Sequence, residues 1–287
     1  MKNSSLLKKL LKVSLNAVWG IGISILRGLG VFNFPVPPNS SMRKASSKSI
    51  IHYYLSGIRT YLPIATMSEQ VGLNLRDGKL TILDFGCGVG RQLLHFTRVY
   101  PSNQYYACDI DDTSVEFIAK NYPHVKSHVN RFTPPLNFPD CHFDLIYSVS
   151  IFSHLNMDDQ TLWLKELARI TKPGGYLCLT TEGFTALKYL SAAFGQDEQT
   201  AAETLRRKGY IYKEYEGWEE DVAKANTIRI ASSLVGVEKS YGNTVVSPAY
   251  VREKWHTFDL SIIALIEGII DHRQDLVVLR RNVQNPA

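Results

Sequence analysis

No aspartate or glutamate precedes Glu69 in this chain of 287 residues. The segment before it nevertheless holds nine of the 32 lysines and arginines, so the rest of the chain carries 23 basic against all 27 acidic side chains, a net charge of −4. The overall charge of +5 therefore belongs to the N-terminal arm. This argues against a nucleic-acid groove built into the main body. Cysteine is scarce too: Cys87, Cys108, Cys141 and Cys178 form no C-x-x-C pair and no metal-ligand spacing. A disulfide scaffold and a zinc module are thereby excluded, no metal is expected, and a reducing, cytoplasmic setting fits. Long apolar runs are missing as well. The uncharged run Val13 to Leu26 falls short of the roughly 20 apolar residues that span a bilayer. There is no internal repeat and no low-complexity tract.

What the arm does have is amphipathicity. On a helical wheel Ser5, Lys8, Lys9, Lys12 and Asn16 share one face, and Leu6, Leu7, Leu10, Leu11, Val13 and Val18 share the other. Such a helix packs on the domain behind it or lies in a membrane interface. A cleaved signal is the third reading, but no A-x-A-type site follows, and "RGLGVFNFPVPPN" reads as a linker.

Residues 45 to 75 are expected to be helical. From residue 80, short apolar runs alternate with helix-length segments: "LTILDFG" strand, "RQLLHFTRVYP" helix, "NQYYACDID" strand, and "TSVEFIAKNYP" a helix that Thr113 is expected to cap. A short extended "VKSHVN", the strand opening "FDLIYSVSIFSHL", the helix "DDQTLWLKELARITKPGG" with a terminal turn, and the strand "YLCLTTE" continue the series. The alternation predicts a parallel, doubly wound α/β sheet. After Glu182 it lapses. Residues 184–242, with a helix in "DEQTAAETLRRKG", an aromatic strand in "YIYKEYE" and a polar connection, read as an insertion beside the active site. The tyrosines of "YIYKEYEGW" either close over a substrate or form one face of a strand. A helix in "SPAYVREKW" and an antiparallel pair, "DLSIIALIEG" and "QDLVVLRR", end the chain.

The chemistry centres on "LDFGCGVGR". Gly86, Gly88 and Gly90 follow a strand and precede a helix, more glycine than a turn needs, so a ligand approaches the main chain there. The dinucleotide fingerprint is G-x-G-x-x-G, whereas the spacing here is G-x-G-x-G with Asp84 two residues ahead. An acid at that place suits a ligand bearing an ammonium group and would repel a pyrophosphate. About 20 residues on, "CDID" ends the next strand, and Asp109 there can accept hydrogen bonds from both ribose hydroxyls.

These residues resemble the class I S-adenosylmethionine (SAM)-dependent methyltransferases. "LDFGCGVGR" looks like their first motif, "CDID" like the ribose-binding strand end, "NFPDCHFDLIYSVSIFSHL" like the entry to the fourth strand, and "LARITKPGGYLCLT" like the turn before the fifth. The tail is similar to a bacterial subgroup that methylates small molecules. The resemblance implies a Rossmann-like, seven-stranded sheet with its last strand antiparallel. It implies that Gly86, Cys87, Gly88 and Gly90 pass the methionine portion and ribose, with Asp84 near the amino group. Asp109 would hold the ribose, and Ile110 would pack on the adenine. Asn130 and Arg131 stand at the adenine edge, where the family often has an acid and a small residue. Val149 and Ser150 would border the methionine and the acceptor.

For catalysis, His154 after the fourth strand is the first candidate base, the alternative being a histidine that only hydrogen-bonds its loop, and Glu182 is the second, the alternative being a surface carboxylate. His256 and His272 are expected to be structural, and Asp158 and Asp159 suit a helix start without any ion. The domain reading is an arm at 1–34, a helical cap at 35–79, a SAM-binding core at 80–183, the insertion at 184–242, and the rest of the core sheet at 243–287. The expected function is methyl transfer from SAM to an oxygen or nitrogen of a small metabolite, with no nucleic acid as partner. A lipid or membrane-delivered acceptor reached through residues 1–26, a SAM-binding protein without turnover, and a nicotinamide oxidoreductase are the alternatives.

Overall fold

A computed structural model describes residues 33–39, 49–215 and 241–283. The chain divides into two compact units, residues 1–36 and 37–287, and the sheet lies in the second. The amphipathic helix expected within residues 1–26 lies outside the described residues, as does the connection 216–240.

The core is a seven-stranded sheet. Its strands are β1 (Thr81–Phe85), β2 (Gln104–Asp109), β3 (Val125–Val129), β4 (Phe143–Ser148), β5 (Thr171–Glu182), β8 (Leu260–Ile270) and β9 (Gln274–Arg281). Their order is β3-β2-β1-β4-β5-β9-β8. The first five are parallel, and β9 runs antiparallel between β5 and β8. The expected α/β sheet with an antiparallel last strand is what forms. Leu83, Ile146, Leu177 and Val277, from the central strands β1, β4, β5 and β9, are all fully buried. Such near-continuous apolar runs are what a sheet covered on both faces requires. The order reverses between β1 and β4, which opens a crevice at their carboxyl ends.

Helices α1 (Ile50–Gln70), α2 (Leu93–Val99), α3 (Asp112–Asn121) and α4 (Met157–Ile170) surround this sheet. Asp111, not Thr113, caps α3: Thr113 donates to Asp111 Oδ1 from its N–H and, at 2.7 Å, from its hydroxyl. An aspartate one position before a helix satisfies the free N–H groups of the first turn better than a threonine inside it. The Lys172–Gly175 turn is absorbed into β5 as a break in register, since Thr171 pairs with Phe143 but Tyr176 already pairs with Leu145.

The insertion contains α6 (Glu198–Lys208), preceded by the single-turn α5 (Leu187–Leu190). Asp197 caps α6, and Gly209 ends it in the left-handed region. β6 (Tyr210–Glu214) then pairs antiparallel with β7 (Gly242–Val246) to form a separate two-stranded ribbon. The sequence alone assigns no element to "GNTVV". It is short, and its strand character comes from β6 on the far side of the connection. Helix α7 (Pro248–Lys254) follows, capped by Ser247.

Candidate active site

The glycine turn shows why each glycine is there. All three have positive φ, but their surroundings differ. A Cβ on Gly86 would lie 2.3 Å from Ile151 Cδ1, and one on Gly90 would lie 2.6 Å from Ile118 Cδ1. Those two glycines let the turn pack against the loop after β4 and against α3. A Cβ on Gly88 would meet nothing within 4 Å. Gly88 alone faces open space, so only there does the missing side chain leave room for a ligand.

The turn is pinned to β2. Gly86 and Cys87 donate their N–H groups to the Cys108 carbonyl at 2.9 and 3.0 Å, and Gly88 N–H donates to Asp109 Oδ2 at 2.7 Å. Asp109 Oδ1 accepts from Asp111 N–H at 2.8 Å. Burial raises the Asp109 pKa and those N–H groups oppose the rise. Each carboxylate oxygen has lone pairs left for a hydroxyl donor. Cys87 is buried, and burial raises its thiol pKa, so it serves here as a small apolar residue.

Asp84 is buried at the end of β1, and Tyr147 of β4 donates to its Oδ2 at 3.0 Å. Burial pushes the Asp84 pKa up to about 8; the Tyr147 hydrogen bond opposes this, Asp109 adds to it, and Arg91 lowers it. A carboxyl held at the edge of ionisation is ready for a cationic ligand to draw it into the charged form. Helix α1 reaches this region, with Tyr53 donating to the Val89 carbonyl at 2.9 Å.

Asn130 follows β3. Its N–H donates to the Asp109 carbonyl at 3.0 Å, and its Nδ2 donates to the Arg131 carbonyl at 2.7 Å. Its Oδ1 is buried with no hydrogen-bond partner among the described residues. A buried acceptor without a donor is costly, and an exocyclic amine would satisfy it. Arg131 is exposed and adds its backbone carbonyl to this arrangement. Ile110 is half-buried against the main core. The open face at Gly88, the spare acceptors of Asp109 and the orphaned Asn130 Oδ1 fit a nucleoside with an ammonium-bearing tail.

After β4, Val149 is buried, and Ser150 adopts φ +62°, uncommon for a side chain other than glycine, asparagine or aspartate. Ser150 N–H donates to Thr180 Oγ1 at 2.8 Å, and its Oγ accepts from Gln274 Nε2 at 2.8 Å. His154 comes next. The edge of β7 docks on its loop: Gly242 N–H donates to the His154 carbonyl at 3.0 Å, and Thr244 N–H to that of Ser153 at 2.9 Å. His154 Nδ1 in turn lies 2.9 Å from the Gly242 carbonyl. A carbonyl only accepts, so Nδ1 carries the proton and Nε2 keeps the lone pair. The ring stacks on Tyr241, with centroids 5.0 Å apart, and Tyr215 lies 3.2 Å from Nδ1 while donating to Asn243 Oδ1 at 3.1 Å. Burial lowers the His154 pKa, partly offset by Gly242, and keeps the ring neutral.

Glu182 is 2% exposed and bound to Arg273, Oε1 to Nε at 2.6 Å. Burial raises its pKa, and Arg273 opposes part of the rise. It is a paired carboxylate at the end of β5 rather than a free base. His256 is exposed after α7, with Nδ1 2.7 Å from the Arg252 carbonyl, and His272 lies in the β8–β9 turn. Asp158 and Asp159 sit in the first turn of α4, behind the Asn156 cap. Among the described residues no group of three His, Cys, Asp or Glu is placed to hold a metal ion, and no helix is long and apolar enough to cross a membrane. Tyr215, Tyr241, Arg273 and Gln274 join this region without having been singled out individually. The only sequence signal among them was the tyrosine-rich run: Tyr210 stacks on Tyr250, while Tyr215 turns to His154.

Residues 83–179 match the family described as methyltransferase domain. The chain is 28% identical over 105 residues to the tRNA N(3)-methylcytidine methyltransferase trm141 of Schizosaccharomyces pombe, covering 34% of this chain and 42% of that protein. It is 28% identical over 127 residues to the 2-methyl-6-phytyl-1,4-hydroquinone methyltransferase of Synechocystis, covering 40% and 36%. The chain thus spans less than half the length of either relative. Among solved structures, a SAM-dependent methyltransferase from Aquifex aeolicus aligns with a TM-score of 0.50 at 15% identity, over 86% of this chain and all of that one. The PH0226 protein of Pyrococcus horikoshii aligns with a TM-score of 0.51 at 15% identity, over 80% and 91%. Residues 83–179 thus match a methyltransferase domain, and the sheet around them has the fold of solved SAM-dependent methyltransferases.

Proposed function

We propose that the chain transfers a methyl group from SAM to an oxygen or nitrogen of a small organic acceptor, held between the Gly86–Gly90 turn and the β6–β7 ribbon. The observation that carries this reading is Gly88, whose open face lies beside the Asp109 carboxylate at the switch point of the sheet. Bound SAM supplies an activated methyl on a sulfonium. The chain's own residues bind, orient and take up a proton. Asp109 accepts from the ribose hydroxyls, Asn130 Oδ1 from the adenine amine, and Ile110 covers the ring. Asp84 meets the ammonium group, and Val149 and Ser150 form the wall between cofactor and acceptor. Tyr215 and Tyr241 flank His154 and exclude water, which favours an in-line approach. His154, protonated at Nδ1 by its bond to Gly242, takes the acceptor's proton at Nε2. Glu182 acts through Arg273. In this reading residues 184–242 are the acceptor side and 80–183 the cofactor side.

A second reading, methylation of a tRNA base, is favoured by the activity named for the fission-yeast relative. Against it stands the net charge of −4 over residues 69–287. A lipid acceptor is the third reading. The deciding experiment incubates the full chain and methyl-labelled SAM with cell extract and fractionates the label. Label in a low-molecular-weight fraction is expected; label in RNA selects the second reading, and label in the lipid fraction selects the third. Asp109→Ala is the binding control. Losing two charge-assisted hydrogen bonds is expected to weaken SAM about 100-fold in calorimetry; unchanged affinity overturns the ribose assignment.

A further inference from the structure

The hairpin joining β8 to β9 turns through Asp271 and His272, both at φ +53°. Consecutive left-handed residues match the twist of an antiparallel pair, and aspartate and histidine are both among the side chains enriched in that region. The turn is tied down on both sides. Arg59 Nε of α1 holds Asp271 Oδ1 at 2.5 Å, Thr185 Oγ1 donates to the Arg273 carbonyl at 2.8 Å, and Arg273 N–H donates to the Ile270 carbonyl at 3.0 Å.

What this turn delivers is Arg273, at the carboxyl end of β5. Its Nε is fixed on Glu182, whose side chain is 3% exposed, while its own side chain is 42% exposed. One edge of the guanidinium is therefore tied to a buried carboxylate, and one face looks toward the Tyr189 ring, 5.7 Å from its centroid. Nη1 and Nη2 make no hydrogen bond among the described residues. The neighbouring Gln274 reaches Ser150 through Nε2, and its Oε1 is buried without a partner among the described residues. The free edge of Arg273 thus belongs to the same strand-end region as Ser150, and its charge bears on both His154 and Tyr215.

A guanidinium aimed from behind and open in front is a rigid two-donor fork suited to a planar carboxylate or a phosphate. We infer that the methyl acceptor carries such an anionic group and that Arg273 receives it through Nη1 and Nη2, with Glu182 as the positioning residue that aims the fork. The inference deepens the proposed transfer reaction and rests on it for the location of the acceptor. The rest of the acceptor then lies against His154, Tyr215 and Tyr241, which suits an aromatic or otherwise flat body.

The test saturates the full chain with S-adenosylhomocysteine and titrates it calorimetrically with benzoate, phenyl phosphate and the neutral benzamide. At least one anion is expected to bind tenfold or more tightly than benzamide, and whichever does so tells carboxylate from phosphate. Arg273→Met is expected to abolish the preference, and Arg273→Lys to keep only part of it. Glu182→Gln is expected to reduce it, although Arg273 is still present. All three variants should hold the nucleoside within twofold of the parent, which separates aiming from a fold defect. Benzamide binding as tightly as both anions, or a preference that survives Arg273→Met, overturns the inference. A chain that does not bind S-adenosylhomocysteine at all instead counts against the proposed function, and the anion preference is then read without the nucleoside.

Discussion

In the proposed reaction Asp84 and His154 would act through where their protons sit. Burial pushes the Asp84 pKa up to about 8, so in the free protein the neutral acid competes with the carboxylate near neutral pH. An ammonium ligand selects the ionised form, so binding releases a proton below pH 8, and SAM affinity is expected to fall up to tenfold per pH unit on acidification from there. The same shift acts on folding with its own sign. The folded-state pKa lies above the unfolded value of about 3.9, so the folded state holds this proton longer. Its contribution to stability is complete below about pH 4 and is lost as pH rises through 8. Asp84→Asn is expected to flatten the binding profile; calorimetry in two buffers of different ionisation enthalpy counts the released proton, and a pH-independent Kd in the parent would contradict the assignment. For His154 the direction is opposite. Burial depresses its pKa, so the acid limb of kcat/KM is expected below the ordinary imidazole value of about 6.5. His154→Gln is expected to lower kcat about 10²- to 10⁴-fold with SAM affinity unchanged. A kcat within threefold of the parent would leave His154 a loop-ordering residue.

At the scale of elements, the turn after β1 separates two roles that one glycine pattern conceals. Gly86→Ala drives a Cβ into Ile151 of the loop after β4 at positive φ, and is expected to cost roughly 1–3 kcal/mol of stability. Gly88→Ala meets no atom and pays only for its left-handed backbone, roughly 1–2 kcal/mol, but its methyl projects into the proposed ligand site. Thermal unfolding with and without SAM tells them apart. Gly86→Ala should lower Tm while keeping the ligand-induced rise, and Gly88→Ala should lose most of that rise. The reverse pattern would mean that the ligand approaches the other glycine. This contrast also marks what was legible in the sequence. The alternating strands and helices, the glycine turn and Asp109 announce themselves because each is a local pattern, complete within one strand–turn–helix–strand stretch. What completes the acceptor side does not. Gly242 reaches back across 88 residues to fix the His154 tautomer, and Arg273 reaches across 91 to pair with Glu182. Neither β7 nor the β8–β9 turn carries a motif that points to such a partner. The pairing exists only because sheet order sets β9 beside β5 and the ribbon edge against the loop after β4.

At the scale of the whole molecule, charge and chemistry are segregated along the chain. Every residue assigned to the cofactor lies between Asp84 and Ser150, and the acceptor-side groups lie beyond them, in a body whose net charge is −4. The five basic residues of positions 1–34, with no acid among them, share that segment with the leucine- and valine-rich face read from the sequence. An anionic bilayer attracts each lysine or arginine near its surface by about 1 kcal/mol, and the attraction fades within a Debye length. The full chain is therefore expected to sediment with phosphatidylserine-containing vesicles at about 0.1 M salt, more weakly at about 0.5 M, and not with neutral vesicles. Removing residues 1–34 should abolish sedimentation while leaving SAM affinity within twofold, because no assigned cofactor contact is removed. A truncated chain that still sediments would move membrane attraction into the body, against its charge. A full chain that never sediments would leave the arm to pack on protein, and the case for a membrane-delivered acceptor would then fall with it.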